Sequence, residues 1–127
     1  RESNSEDNIM EKKTSDLPIV DKYIVNVFTK DSNKILKELL HLFIQETPQL
    51  QTEINLAFKR KQPKTIANLL HKLLGSCAYC GWLRLKLSIL MLENAIAQGK
   101  YSHELLEQFN TDVQDTLNKA EEIIKSQ

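Results

Sequence analysis

Apolar residues return every three or four positions along most of this chain, the period of helices that bury one face. From residue 33 to about Arg60 the stripe runs Ile35, Leu36, Leu39, Leu42, Phe43, Leu50, Ile54 and Ala57, with Thr47 in phase. The phase survives Pro48, so that proline is expected to bend the helix rather than end it. Gln62-Pro63 turns the chain, and Pro63 suits a first helical position. A second helix, to about Cys80, sets Ile66, Leu69, Leu70, Leu73, Leu74, Cys77 and Cys80 on one stripe. Gly81 interrupts. Trp82 to about Gln98 then reads as a third helix, with Leu83, Leu87, Leu90, Asn94 and Ala97 on one line and Leu85, Ile89, Leu92 and Ile96 beside it. So much apolar surface predicts burial on more than one side. Gly99 suits the position just past a helix end, and Ser102 the cap of a fourth helix. The stripe of that helix is Leu106, Phe109, Val113, Leu117, Ala120 and Ile124.

Ahead of these, residues 16–28 carry Val20, Tyr23, Ile24, Val27 and Phe28, which reads as a short helix across the bundle. Its Val and Ile content leaves a strand open, and Asp31 or Ser32 can cap the helix that follows. Residues 1–15 are polar and have little to bury, the composition of a disordered tail or linker. Short turns between long helices predict an all-α fold. The expected architecture is an antiparallel up-down four-helix bundle with a short additional N-terminal helix, forming one domain over residues 16–127.

Charge narrows the function. The chain of 127 residues has 17 Lys and Arg against 17 Asp and Glu, which argues against bulk attraction to nucleic acid or to a membrane surface. No run of about 18 apolar residues could span a bilayer. The first residue is Arg1, not Met, so an excised part of a longer protein is expected. The cluster Lys59-Arg60-Lys61 complements the end of the first long helix and reads as solvated charge.

Candidate chemistry reduces to three histidines and two cysteines. No phosphate loop, nucleophilic elbow or metalloprotease helix occurs, and the carboxylates are scattered. Cys77 and Cys80 have a Cys-x-x-Cys spacing, but on a helix His71 stands about 240° from the first and 180° from the second. The three cannot converge on one ion. Both thiols fall on the apolar stripe, where cysteine acts as a small hydrophobe, so no metal site is expected and a reduced, cytoplasmic setting is. His41 and His103 read as surface residues. His71 centres about 140° from the stripe of its own helix and therefore points outward. Around it lie Lys64, Ala67, Asn68, Lys72, Leu74, Gly75, Ala78 and Tyr79, a mostly small, polar and locally cationic setting. Gly75, one turn on, is unfavourable in a helix by about 1 kcal/mol relative to Ala, which suits close approach of another molecule. A neutral imidazole in that position is a competent nucleophile, and lysines beside it favour an added phosphoryl group.

Beyond this, residues 36–100 resemble a histidine-containing phosphotransfer (HPt) domain. The likeness rests on Phe43, Pro48 and Leu50, then His71-Lys72-Leu73-Leu74-Gly75-Ser76, then Gly81, then Leu92-Glu93. The run from His71 to Gly81 is especially similar to the C-terminal module of BarA-type hybrid sensor histidine kinases. The resemblance implies that His71 takes a phosphoryl group from an aspartyl phosphate on a receiver domain and passes it to the aspartate of a response regulator. It implies a phosphocarrier rather than an enzyme, in the cytoplasmic part of a membrane-bound kinase, with no cofactor of its own. The partner receivers would bring Mg²⁺. Lys72, Gly75, Asn68, Ser76 and Lys64 would support the site, and Ala67, Leu74, Ala78 and Tyr79 would form the docking face. Ser76, about 140° round from His71, is expected to bond at the bundle edge. Many family members carry Lys three residues after the histidine; here the residue is Leu74, which leaves Lys72 or Lys64 to supply charge. The alternative is a helical interaction adaptor without phosphotransfer.

Overall fold

A computed structural model describes residue 19, residues 33–80 and residues 82–126, without the side chains of 33, 79 and 80. The expected tail, and the expected short helix over 16–28 apart from Ile19, lie outside the described residues. Among the described residues four helices follow the sequence pattern closely: α1 (Asn33–Lys59), α2 (Pro63–Cys80), α3 (Leu83–Ala97) and α4 (His103–Lys125). Each packs against its neighbour in sequence, and α1 against α4 closes the ring. With turns this short, the arrangement is an up-down bundle around one core.

The helix ends obey local chemistry. The α1 helix continues through Pro48. Ser102 caps α4, its hydroxyl accepting from the Leu105 N–H at 3.2 Å. At the end of α3, Gly99 adopts φ 78°, its N–H donates to Ile96 O at 2.9 Å, and Lys100 N–H donates to Ala95 O at 2.8 Å. That pair of bonds is the Schellman motif, and it satisfies carbonyls the helix leaves open. The α1–α2 turn repeats it: Lys61 N–H donates to Phe58 O at 3.1 Å and Gln62 N–H to Ala57 O at 3.0 Å, with Lys61 at φ 53°. Both turns lie at the same end of the bundle. There Phe58 packs edge-on against the Tyr101 and His103 rings, each with centroids 5.4 Å away.

The core differs from the sequence stripes in three places. On α1, Ile35 and Leu42 are 52 % and 48 % exposed, whereas Leu40 and Phe58 are buried. Ile35 and Leu42 stand about 100° and 120° round the helix from buried Leu36, outside the inner face. On α3 the buried residues are Leu85, Ser88, Ile89, Leu92, Ala95 and Ile96. The line Leu83, Leu87, Leu90, Asn94 and Ala97 lies on the opposite side: Leu83 and Leu87 are half-buried, the other three exposed. Two-sided burial is therefore incomplete. On α4, Thr116 and Ile123 are buried in place of Leu117 and Ile124, which are half-buried. Thr116 tolerates burial because its hydroxyl donates to Asp112 O at 2.6 Å.

A polar clasp joins α1 to α4. Asn55 Nδ2 donates to Asn110 Oδ1 at 2.8 Å and Asn110 Nδ2 returns the bond to Asn55 Oδ1 at 2.9 Å. Gln51 Nε2 also donates to Asn110 Oδ1, at 3.0 Å. These fix the register of the two helices on the side of the bundle away from the α2–α3 pair.

Candidate functional site: the outer face of the second helix

The α2 helix turns Ile66, Leu70, Leu73 and Cys77 into the core, all with exposure of 1 % or less. That anchoring fixes the opposite face. His71 is exposed there, and among the described residues neither ring nitrogen is engaged in a hydrogen bond or ion pair. Asn68, Lys72, Gly75 and Ala78 are exposed around it, and Ala67 is half-buried. Lys64, exposed, lies two turns before His71 and almost on its line, about 20° round the helix. Leu74 is half-buried with part of its side chain packed on the core. Tyr79 and Cys80 fall among the undescribed side chains, and Gly81 is undescribed.

Two details decide what this face can do. A Cβ built on Gly75 would meet nothing within 4 Å. The fold itself therefore has no steric need of a glycine there, yet it bears the helix cost of about 0.5–1 kcal/mol relative to Ala. Ser76 is half-buried at the bundle edge, but its hydroxyl makes no hydrogen bond among the described residues, contrary to the expectation of an edge bond. Cys77 is buried, as its place on the stripe requires. Among the described residues no three His, Cys, Asp or Glu side chains cluster closely enough to hold a metal ion, and no helix is long and apolar enough to cross a membrane.

Sequence reasoning missed the surface beside His71. An open groove of about 810 Å³ runs between α2 and α3, lined among others by Lys64, Ala67, Leu90, Asn94, Ala97 and Tyr101. Ala67 is one turn before His71, so the groove ends beside the imidazole. Its α3 wall is the line of residues that faces away from the core, with Leu90 39 % exposed. The excess of apolar residues on α3 was the available signal. An apolar residue on the side of a helix that the core cannot reach is surface for something else.

A histidine exposed, and unengaged among the described residues, on the second helix of an up-down bundle, with a bare helical glycine one turn on, matches a known pattern. The family model of the Hpt domain matches residues 38–123. The chain belongs to the Hpt family. A solved structure of similar fold is the HPT domain of a sensor hybrid histidine kinase from Shewanella. It superposes with a TM-score of 0.72 at 16 % identity, covering 86 % of this chain and 96 % of that one. At that identity the likeness speaks for the fold alone. Comparison with curated protein sequences found no match. As an Hpt domain the protein has a phosphotransfer role in two-component signalling. Hpt domains are phosphocarrier modules, not catalysts, and interact with receiver domains in phosphorelays.

Proposed function

We propose that His71 is the phosphoryl acceptor of this Hpt domain. An imidazole nitrogen attacks the phosphorus of an aspartyl phosphate on a receiver domain, and the acyl P–O bond breaks to return the aspartate carboxylate. The phosphohistidine then yields its phosphoryl group to the aspartate of a response regulator by the same displacement in reverse. Such transfer depends on in-line placement and charge neutralisation rather than on covalent help from the carrier. The carrier holds no cofactor, and Mg²⁺ comes with the receiver. Lys72 and Lys64 supply local positive charge, since Leu74 packs against the core at the third position after the histidine. We place the domain in a larger hybrid sensor histidine kinase, in its cytoplasmic part.

The observation that carries this reading is the pairing of His71, exposed and unengaged among the described residues, with Gly75, where an added Cβ would occupy open space. The space above both is what a receiver needs in order to bring its phosphoaspartate onto the ring. Incubation with phosphorylated receiver domains should give acid-labile, base-stable label on the wild-type chain and none on His71→Gln. Equal labelling of the two would overturn the assignment. Gly75→Ala should raise stability by about 0.5–1 kcal/mol, measured by chemical denaturation, while slowing transfer. Partner binding that persists in His71→Gln, with no transfer to the wild type, would select the adaptor alternative.

A further inference from the structure

Two lysines at the end of the bundle are placed against their local preferences. Lys61 sits at φ 53°, the left-handed region that disfavours side-chain-bearing residues by roughly 1–2 kcal/mol. Lys64 lies in the first turn of α2, where the helix dipole favours anions and where no acidic residue is present. The fold gathers both around Tyr101. Lys61 Nζ stands 5.9 Å from the centre of the Tyr101 ring. Tyr101 is a wall of the groove that Lys64 also lines, and of a second hollow lined by Lys59, Lys61 and His103. Lys100 is exposed beside it in the chain.

Among the described residues these lysines have no ion-pair partner. Ion pairs among the described residues are Arg84–Asp115 and Lys119–Glu122, and none of Lys59, Lys61, Lys64 or Lys100 has a carboxylate within reach. Among the described residues Glu93 lines the same groove as Lys64, and Glu104 stands in the first turn of α4. Around Tyr101 the described residues thus present lysines without ion-pair partners, in a chain whose overall charge is zero. Along α2, Lys64 is about 10 Å from His71. A partner burying roughly 800 Å² of this surface, the standard area per side, covers a disc about 16 Å in radius. Anything seated on His71 with that footprint also covers Lys64 and the groove that Lys64 shares with Tyr101, whereas Lys59 lies in the hollow on the α1–α4 side.

Resting on the phosphotransfer reading above, we propose that the receiver surface docking at His71 is acidic where it overlies Tyr101. Lys61, Lys64 and Lys100 then attract and select partners by that charge. Complementary charge raises association rates by 10- to 1,000-fold and is screened by salt.

The test uses the whole 127-residue chain. A decapeptide of alternating Asp and Glu, titrated at low salt, should shift backbone amide resonances at 59–64 and 99–103. It should not do so in the triple variant Lys61→Glu, Lys64→Glu, Lys100→Glu, whose circular dichroism should stay helical because all three side chains are exposed. Shifts of equal size around Lys34, Lys37, Lys119 and Lys125, or none at all, would overturn the proposal. In transfer from phosphorylated receiver domains, the same variant should lower the second-order rate at least tenfold at low salt, with the gap closing as salt rises. Transfer that proceeds at an unchanged rate and salt dependence overturns the charge selection and leaves the phosphotransfer reading standing. Absence of any transfer to the wild type overturns that reading instead, and the peptide titration still decides whether these lysines hold acidic chains.

Discussion

The α1–α2 turn and the α3–α4 turn make the same two backbone hydrogen bonds and reverse the chain at the same end of the bundle, with different residues at the critical position. In one the left-handed residue is Gly99, at φ 78°; in the other it is Lys61, at φ 53°. An added Cβ at Gly99 would meet nothing within 4 Å. The difference between the turns is therefore one of backbone preference, not of available space. The turn with glycine follows the local rule for ending a helix. The turn with lysine departs from it, and the departure lifts an ammonium over Tyr101 at the rim of the groove beside His71. A strained position kept at a candidate docking surface points to use of the side chain.

Both turns depend on Phe58. Its ring is 4 % exposed and is the contact through which α1 meets Tyr101 and His103. Phe58→Ala should give the largest effect of any change at this end, a loss of about 3–5 kcal/mol from the lost contacts and the cavity left behind. Urea denaturation measures it. A loss under about 1 kcal/mol would mean that the turns are held separately and that the comparison concerns two unrelated loops.

Gly99→Ala comes next. The methyl fits, so the expected loss is the left-handed backbone term alone, about 1–2 kcal/mol. The same substitution at Gly75 has the opposite sign, because that glycine is inside a helix. A stable Gly99→Ala would show that the turn relaxes out of the left-handed region at little expense, and Lys61 would then need no special explanation either.

Much of this was legible from residue order, for identifiable reasons. Helix period, Pro63 at a helix start, Gly99 past a helix end and Ser102 at a cap are local signals, and each is where it was expected. His71 points outward because Ile66, Leu70, Leu73 and Cys77 have to point inward. What the order of residues could not show is which side of α3 faces the core. Its apolar residues surround the helix, so the packing of α2 and α4 decides, and that decision creates the groove. Ile35 and Leu42 misled for a related reason: apolar character marks a residue as able to be buried, not as buried. The lysine cluster was hidden by distance along the chain. Lys59-Arg60-Lys61 alone reads as solvated helix-end charge, and only the fold brings Lys64, Lys100 and Tyr101 beside it.

Lys61→Gly should have the smallest effect on stability. Relief of the left-handed strain favours the variant by roughly 1–2 kcal/mol, while the greater freedom of glycine in the unfolded chain takes back about 0.5–1 kcal/mol. Loss of the contact of the ammonium with Tyr101, at an exposed site, takes back about 0.5 kcal/mol more. The net expectation lies between a loss of about 0.5 kcal/mol and a gain of about 1 kcal/mol, readable as a small shift of the denaturation midpoint at unchanged slope. Removal of this lysine should at the same time weaken the low-salt response to an acidic peptide. Opposite movement of stability and binding is what separates a residue kept for a partner from one kept for the fold. A Lys61→Gly chain less stable than the wild type by more than about 1 kcal/mol would show instead that the ammonium over Tyr101 holds the turn together. The two turns would then differ only in how they secure the same end of the bundle.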